Sequence, residues 1–380
     1  MRRLFVLVAA VILVDTMFYS AIVPLLPAYT DDLGLSKSAA GLLSASYAAG
    51  TLVAALPSGF LAARIGVRTT MLAGLGLLSA SSLAFAFADT VALLDAARFA
   101  QGVGGACAWT GGLAWLLAAG PAERRGELVG SVLAVAIAGL LLGPVIGGVA
   151  TEVGPEPVFS GVGVIGIILA AWVLSTPGVA PSAIPGLRQV AGAILTRPVI
   201  FAFWLVALPS ILAGLVDVLA PLRLDELGAS GIGVGAVFLI AAAIEATLSP
   251  AIGRLSDRRG RLVPIRAGLI ASGLVAVTPS LPESIFGLGI VVVIVFLAMS
   301  LIWTPAMALL SDDAEAAGLD LAFATALVSL SWAGGQVIGG SAVVAFADAT
   351  SDALAYGFVA VLFVLTSVVL MVRRGERRIG

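Results

Sequence analysis

Gly130-Ser-Val-Leu-Ala-Val-Ala-Ile-Ala-Gly139-Leu-Leu-Leu-Gly143-Pro144-Val-Ile-Gly147-Gly148 carries five glycines and one proline in a run without a single charge. In water such a helix would be badly weakened, because an interior glycine costs about 0.5–1 kcal/mol and a proline about 3 kcal/mol relative to alanine. Inside a bilayer the same residues are tolerated, since neighbouring helices re-satisfy the backbone groups that are freed. Glycines on one face let helices approach closely, and Pro144 removes a hydrogen bond and bends the helix. The stretch reads as a membrane-spanning helix.

The rest of the chain agrees. Its 380 residues are 60% hydrophobic and 11% charged, against roughly 25% charged in a soluble protein. An integral membrane protein embedded in a lipid bilayer is expected. The net charge of −2 and the lack of basic clusters interleaved with aromatics exclude a nucleic-acid surface. With no histidine, a Ser-His-Asp triad, a His-ligated metal and a His proton switch are all ruled out. One cysteine, Cys107, leaves neither an internal disulfide nor a thiolate cluster. No metal, cofactor or enzymatic activity is expected. Lys37, the only lysine, lacks the glycine-lysine order of a phosphate loop. Uphill work by this chain must draw on an ion gradient.

Stretches of about 20 apolar residues run approximately over 4–28, 38–62, 69–88, 90–119, 126–152, 157–176, 197–222, 231–253, 262–281, 284–310, 318–346 and 353–372. The first is read as an attached span rather than a signal peptide, because Asp15 interrupts it and it continues through Pro24 and Pro27. Arginines crowd the even-numbered loops and both termini, while the opposite side holds Lys37 and Arg223. By the positive-inside rule both termini are cytoplasmic, which requires an even number of spans. Pro27-x3-Asp31-Asp32-Leu33-Gly34 returns as Pro221-x3-Asp225-Glu226-Leu227-Gly228, and Gly59…Gly66 returns as Gly253…Gly260. Both repeats keep one separation of 194 residues (27 to 221, 59 to 253). The expectation is an all-α membrane protein of twelve spans in two pseudo-symmetric six-helix bundles, 1–176 and 197–380. A plain cytoplasmic linker, 177–196, joins them.

Several motifs carry a family resemblance. The glycine-proline stretch, through Gly130, Gly139, Gly143, Pro144, Gly147 and Gly148, resembles the fifth-helix signature of proton-coupled antiporters of the major facilitator superfamily. Gly253-Arg254-Leu255-Ser256-Asp257-Arg258-Arg259-Gly260-Arg261 resembles the superfamily's cytoplasmic loop motif. Its first-half copy, Gly59 to Arg68, keeps Gly59, Arg64, Gly66 and Arg68 but has Ala63 where the family carries aspartate. Arg98-Phe-Ala-Gln101-Gly102-Val-Gly104-Gly105 resembles the family's fourth-helix motif, in which the arginine is implicated in proton coupling. Asp15-Thr-Met-Phe-Tyr19 resembles the first helix of drug and vesicular amine antiporters, where the matching acid lies near the transported amine. The resemblance implies the major facilitator fold, alternating access, and a cation-binding role for Asp15.

Read from the residues alone, the loop charges allow two roles. Either the arginines only set topology, or they pair across the halves as a cytoplasmic gate. In the second case Asp312 and Asp313, with Glu315 and Asp320, should meet Arg64 and Arg68, and Glu123 and Glu127 should meet Arg258 and Arg261. Within the spans, ionisable groups are costly and mark function. Asp15, Arg98, Asp217 and Glu245 are the expected proton-coupling set, and Glu245 has no charged neighbour in its own helix. Asp95 offers Arg98 an alternative i,i+3 partner. Asp217 is placed nearer a helix end, half buried.

Amides are scarce, so a sugar or peptide site with many hydrogen bonds is not expected. Tyr19, Gln101, Trp109, Trp303, Trp332 and Gln336 are the expected cavity residues, suited to a lipophilic cation through charge and cation–π attraction. The reading is a monomeric proton-coupled antiporter that exports a lipophilic organic cation, with a proton gradient as its energy source. A metabolite symporter or exporter of the same fold, and a non-transporting sensor or scaffold, remain as alternatives. Alanine, arginine and glycine bias points to a prokaryotic plasma membrane.

Overall fold

The computed structural model describes residues 2–121, 125–179, 187–319 and 321–379. Regular structure among them is helical: α1 (Arg2–Ala21), α2 (Leu26–Leu33), α3 (Lys37–Ile65), α4 (Val67–Ala86), α5 (Val91–Ala119), α6 (Arg125–Val153), α7 (Pro155–Ser175), α8 (Leu187–Ile194), α9 (Arg197–Glu226), α10 (Gly231–Arg259), α11 (Leu262–Val275), α12 (Ile285–Ala316), α13 (Leu321–Val337), α14 (Val344–Ala349) and α15 (Asp352–Ile379). Twelve units among the described residues are long and apolar enough to cross a membrane, as expected. α1 and α2 form one of them, broken at a 3-10 turn over Val23–Leu25. Within the segment read as a plain linker, Leu187–Ile194 is helical instead. Val190 and Ala193, three residues apart, are buried on one side of it, and an apolar stripe of that spacing favours a helix lying on a surface.

The 194-residue repeat extends into the local chemistry. Ser36 and Ser230 cap α3 and α10, their hydroxyls accepting from Ala39 N and Gly233 N at 3.2 Å. Thr90 and Ser284 cap α5 and α12 in the same way, each satisfying a donor the first turn leaves orphaned. Gly66 and Gly260, also 194 apart, turn the chain with φ of 91° and 85°, a region glycine enters without steric cost. Gly59 and Gly253, the loop motif's other pair at this separation, lie inside α3 and α10.

The glycine-proline stretch is the seam between α6 and α1. A Cβ at Gly139 would fall 2.6 Å from Leu13 O, and one at Gly143 would fall 2.6 Å from Met17 O. Gly147 lies equally hard on Ala21 O, whereas Gly130 has open space. Pro144 has no N–H to give Leu140 O four residues back. Ser20 Oγ of α1 donates to that carbonyl at 3.3 Å. In the second half Gly335 and Gly339 bring α13 and the π turn after it against Ala207 O and Ile211 O of α9.

The two helix groups join unevenly. One apolar core takes in the α9–α15 group together with Phe18, Leu26, Leu43, Phe85 and Phe159, all near the Lys37 end of the first group. A second core, around Leu7, Ile12, Met71 and Trp115, is confined to the arginine-rich end of the first group. At the Lys37 end the groups interlock: Gly148 meets Ile232, Gly231 meets Thr151, and Gly41 meets Gly340 and Val344. Lys37 Nζ pairs there with Asp352 Oδ1 at 2.8 Å, and Ser38 Oγ donates to Asp348 Oδ2 at 2.6 Å. The molecule is closed at this end.

At the arginine-rich end no expected cross-group pair is formed among the described residues in this conformation. Asp312 is taken by Arg261 of its own group, at 3.0 Å, and Arg261 also holds Asp257 at 3.1 Å. Arg68 donates to Leu174 O, Asp313 is partly exposed, and Arg64 and Arg258 are exposed. Glu123, the Glu127 side chain and Asp320 lie outside the described residues. A ring contact between Phe60 and Phe323, centroids 5.6 Å apart, does cross between the groups here.

Two measurements test this architecture. Gly143→Val should lower the melting temperature of the purified protein, overpacking costing about 1–3 kcal/mol, while Gly130→Val should leave it near wild type. Equal effects would contradict the seam. For the Lys37 end, an Ala45→Cys reporter in a Cys107→Ser background should label with maleimide about two- to fivefold faster after Lys37→Ala, the range open to a half-exposed ion pair. An unchanged rate would show that the pair does not hold this end shut.

Candidate functional site

The break in the first span creates the site's chemistry. Where α1 unwinds at Ile22 the carbonyls of Phe18 and Tyr19 lose their helical donors, and in a bilayer no water replaces them. Arg98 of α5 fills the gap, donating from Nη1 to Phe18 O at 3.1 Å and from Nη2 to Tyr19 O at 3.0 Å. Its Nη1 also reaches Gln101 Oε1 at 3.1 Å, and its guanidinium carbon lies 5.1 Å from the Tyr47 ring centroid. Arg98 makes no ion pair with Asp95, whose carboxylate lies instead beside Ser46 of α3.

About two turns before the break, Asp15 is 1% exposed. Tyr47 Oη donates to its Oδ1 at 2.8 Å and Trp109 Nε1 to its Oδ2 at 3.0 Å. Gly105 makes this possible, since a Cβ there would fall 2.6 Å from Asp15 Oδ1. Both carboxylate oxygens are held by neutral donors, and the nearest full positive charge belongs to Arg98, which contacts α1 backbone rather than Asp15. Such an acid is poised to exchange a proton or accept a cation, because neither event breaks a direct salt bridge.

Tyr19 connects this cluster to the second helix group. Its ring stacks on Tyr47 at 5.1 Å and edge-on against Trp332 of α13 at 5.0 Å. Asp217 of α9, half-buried, is near enough for its charge to reach Tyr19, and the Gln336 side chain lies against its carboxylate. Glu245 of α10 is also half-buried, in electrostatic range of Asp217 and without a hydrogen-bonding partner among the described residues. The structure therefore brings together Asp15, Tyr19, Arg98, Gln101, Trp109, Trp332, Asp217, Gln336 and Glu245 in one region between the groups. Trp303, half-buried, packs against the same apolar core that Trp332 touches.

Two contributors were not among the expected site residues. Tyr47 and Gly105 appear in the sequence as an ordinary intramembrane aromatic and one glycine among many. The available signal was the phenol itself, since a buried Tyr hydroxyl generally requires a partner.

Removing the arginine fork should be costly. Arg98→Leu would leave two intramembrane carbonyls unpaired, at about 1–3 kcal/mol each, and should lower the melting temperature of the purified protein markedly. Arg98→Lys, which keeps the charge but loses the planar fork, should fall between wild type and Arg98→Leu. A lysine variant as stable as wild type would show that charge alone suffices.

Over 151 residues the chain is 33% identical to the uncharacterized MFS-type transporter C18.02 of Schizosaccharomyces pombe, covering 38% of this chain and 34% of that protein. Over 147 residues it is 31% identical to the quinolone resistance protein NorA of Staphylococcus aureus, covering 39% of this chain and 38% of NorA. The chain thus matches just over a third of the length of these curated relatives. A POT family transporter crystallised with 5-aminolevulinic acid superposes with a TM-score of 0.77 at 13% identity, over 97% of this chain and 95% of that one. Another, crystallised with a thioalcohol-conjugated peptide, gives 0.74 at 14% identity, over 98% and 96%. These two structures share the fold. The sequence also matches the Major Facilitator Superfamily over residues 8–323, and the chain belongs to that superfamily of membrane transporters.

Proposed function

We propose that this protein is a proton-driven antiporter that expels a lipophilic organic cation by alternating access. One observation carries the reading: a fully buried carboxylate, Asp15, held only by a phenol and an indole and backed by the Tyr19–Tyr47–Trp332 aromatic wall. Aromatic faces and an uncompensated acid attract a desolvated cation through Coulomb and cation–π terms together. Partial similarity to NorA, a quinolone resistance protein, supports drug-like cargo.

In this mechanism residues 1–176 and 197–380 rock against each other about the site, joined by 177–196, with a monomer as the working unit. The arginine-rich face is cytoplasmic by the positive-inside rule, so the conformation described above faces inward. Substrate enters from the cytoplasm and settles beside Asp15. Proton uptake from outside at Asp15, Asp217 or Glu245 then displaces it, and Arg98 keeps the broken helix in place through the cycle. Closing the cytoplasmic end would bring the exposed Arg64 and Arg258 toward opposing acids. The α6 glycines act in this scheme as the seam that keeps α1 and α6 moving as one body.

Proteoliposomes loaded with a fluorescent lipophilic cation provide the test. Efflux should follow an imposed pH gradient and fall to the level of empty liposomes in Asp15→Asn and in Glu245→Gln. Cation flux indifferent to the gradient would refute proton coupling, and wild-type rates in both variants would remove these acids from the mechanism.

A further inference from the structure

A groove on the membrane-facing side of the second helix group lies away from the candidate site. α10 and α11 both pack on α12 but touch each other little, so a cleft of about 450 Å³ opens between them with α12 as its floor. Leu248, Ala251 and Leu255 form one wall, Ala271 and Val275 the other, and Leu297 lies at the base. Its lining is wholly aliphatic, and Leu248, Ile270 and Leu274 around it are exposed. The groove occupies membrane-spanning helices, so hydrocarbon rather than water fills it.

Following the α10 wall toward the arginine-rich end, the groove-facing positions recur at helical spacing: Leu248, Ala251 and Ile252, then Leu255. The next step on that stripe is Arg258 and Arg259, the last turn of α10. Both are exposed, and no acid among the described residues pairs with either. Of the acids on this part of the surface, Asp257 and Asp312 both bind Arg261. A water-free aliphatic slot thus runs directly into two exposed guanidiniums at the membrane surface.

We infer that this groove binds an anionic phospholipid of the leaflet meeting the arginine-rich face. The phosphate sits on Arg258 and Arg259, whose planar forks match its oxygens, and one acyl chain lies along α10 between α11 and α12. Charge complementarity selects the lipid: each interfacial arginine favours an anionic headgroup about fivefold, whereas a zwitterionic headgroup has no net charge to reward. The binding shares Arg258 with the cytoplasmic closure proposed above but needs no proton coupling or particular cargo.

Native mass spectrometry of the purified full-length protein, released from nanodiscs containing equal phosphatidylglycerol and phosphatidylcholine, tests it. Wild type should retain phosphatidylglycerol preferentially, and Arg258→Gln with Arg259→Gln should cut that preference by up to roughly 25-fold. Ala251→Phe, which fills the groove from its exposed edge, should reduce retention of both lipids. Arg197→Gln, at the same face but on α9 and away from the groove, should change nothing. Equal retention of the two lipids by wild type, or an undiminished preference in the double arginine variant, would overturn the assignment. Because both arginines are exposed, the double variant folds and the comparison stands without the groove-filling mutant.

Discussion

The donation from Arg98 to the carbonyls of Phe18 and Tyr19 is the interaction on which the site depends. A bilayer offers no water to an unwound helix, so a break in a spanning segment persists only where protein supplies the missing partners. The guanidinium does this with two of its donors and spends another on Gln101. With its charge engaged by backbone dipoles and the Tyr47 face, it does not neutralise Asp15. The carboxylate one turn away is left to a phenol and an indole. A structural repair in one helix thereby leaves an uncompensated acid at the centre of the molecule.

Close backbone approach keeps this arrangement rigid. Gly139, Gly143 and Gly147 let α6 rest on α1 with carbonyls against the missing side chains, and Ser20 takes the carbonyl that Pro144 abandons. The same device recurs at Gly335 and Gly339 against α9. The device also recurs within the first half, where Gly50 and Gly102 bring α3 against α5 and Gly74 and Gly111 bring α4 against α5. Between the halves it appears at Gly41 on Gly340 O and Gly235 on Pro144 O, alongside a continuous apolar core and polar pairs at the Lys37 end. Of these contacts the polar pairs yield most easily, since a half-exposed ion pair such as Lys37–Asp352 contributes about 0–1 kcal/mol.

The membrane class, the twelve spans and the twofold repeat were legible in the sequence because each is a one-dimensional signal: apolar run length, arginine placement and a constant separation. So were the intramembrane charges, which are rare enough to stand out. Tyr47 and Gly105 were not legible, because their importance lies in what they face. Lys37 was visible only as an exception to a charge rule, and its partner Asp352 is 315 residues away in the chain. The loop acids illustrate the opposite case. Asp312 was expected across the molecular midline, yet Arg261 of the same half reaches it first, and a short connection within one bundle costs less to close than a contact between bundles.

What the sequence determined by itself is the solvent this chain folds in, the number of times it crosses, its doubling, and the short roster of charges it places in hydrocarbon. Those properties follow from composition and period, which hold whatever the neighbours are. Tertiary structure decided which of the charges meet. It gave Arg98 to a backbone break rather than to Asp95, gave Asp15 to Tyr47 and Trp109, and brought Trp332 to Tyr19. In a medium without water every polar group must find its partner inside the protein, and which partner is nearest depends on how the helices pack.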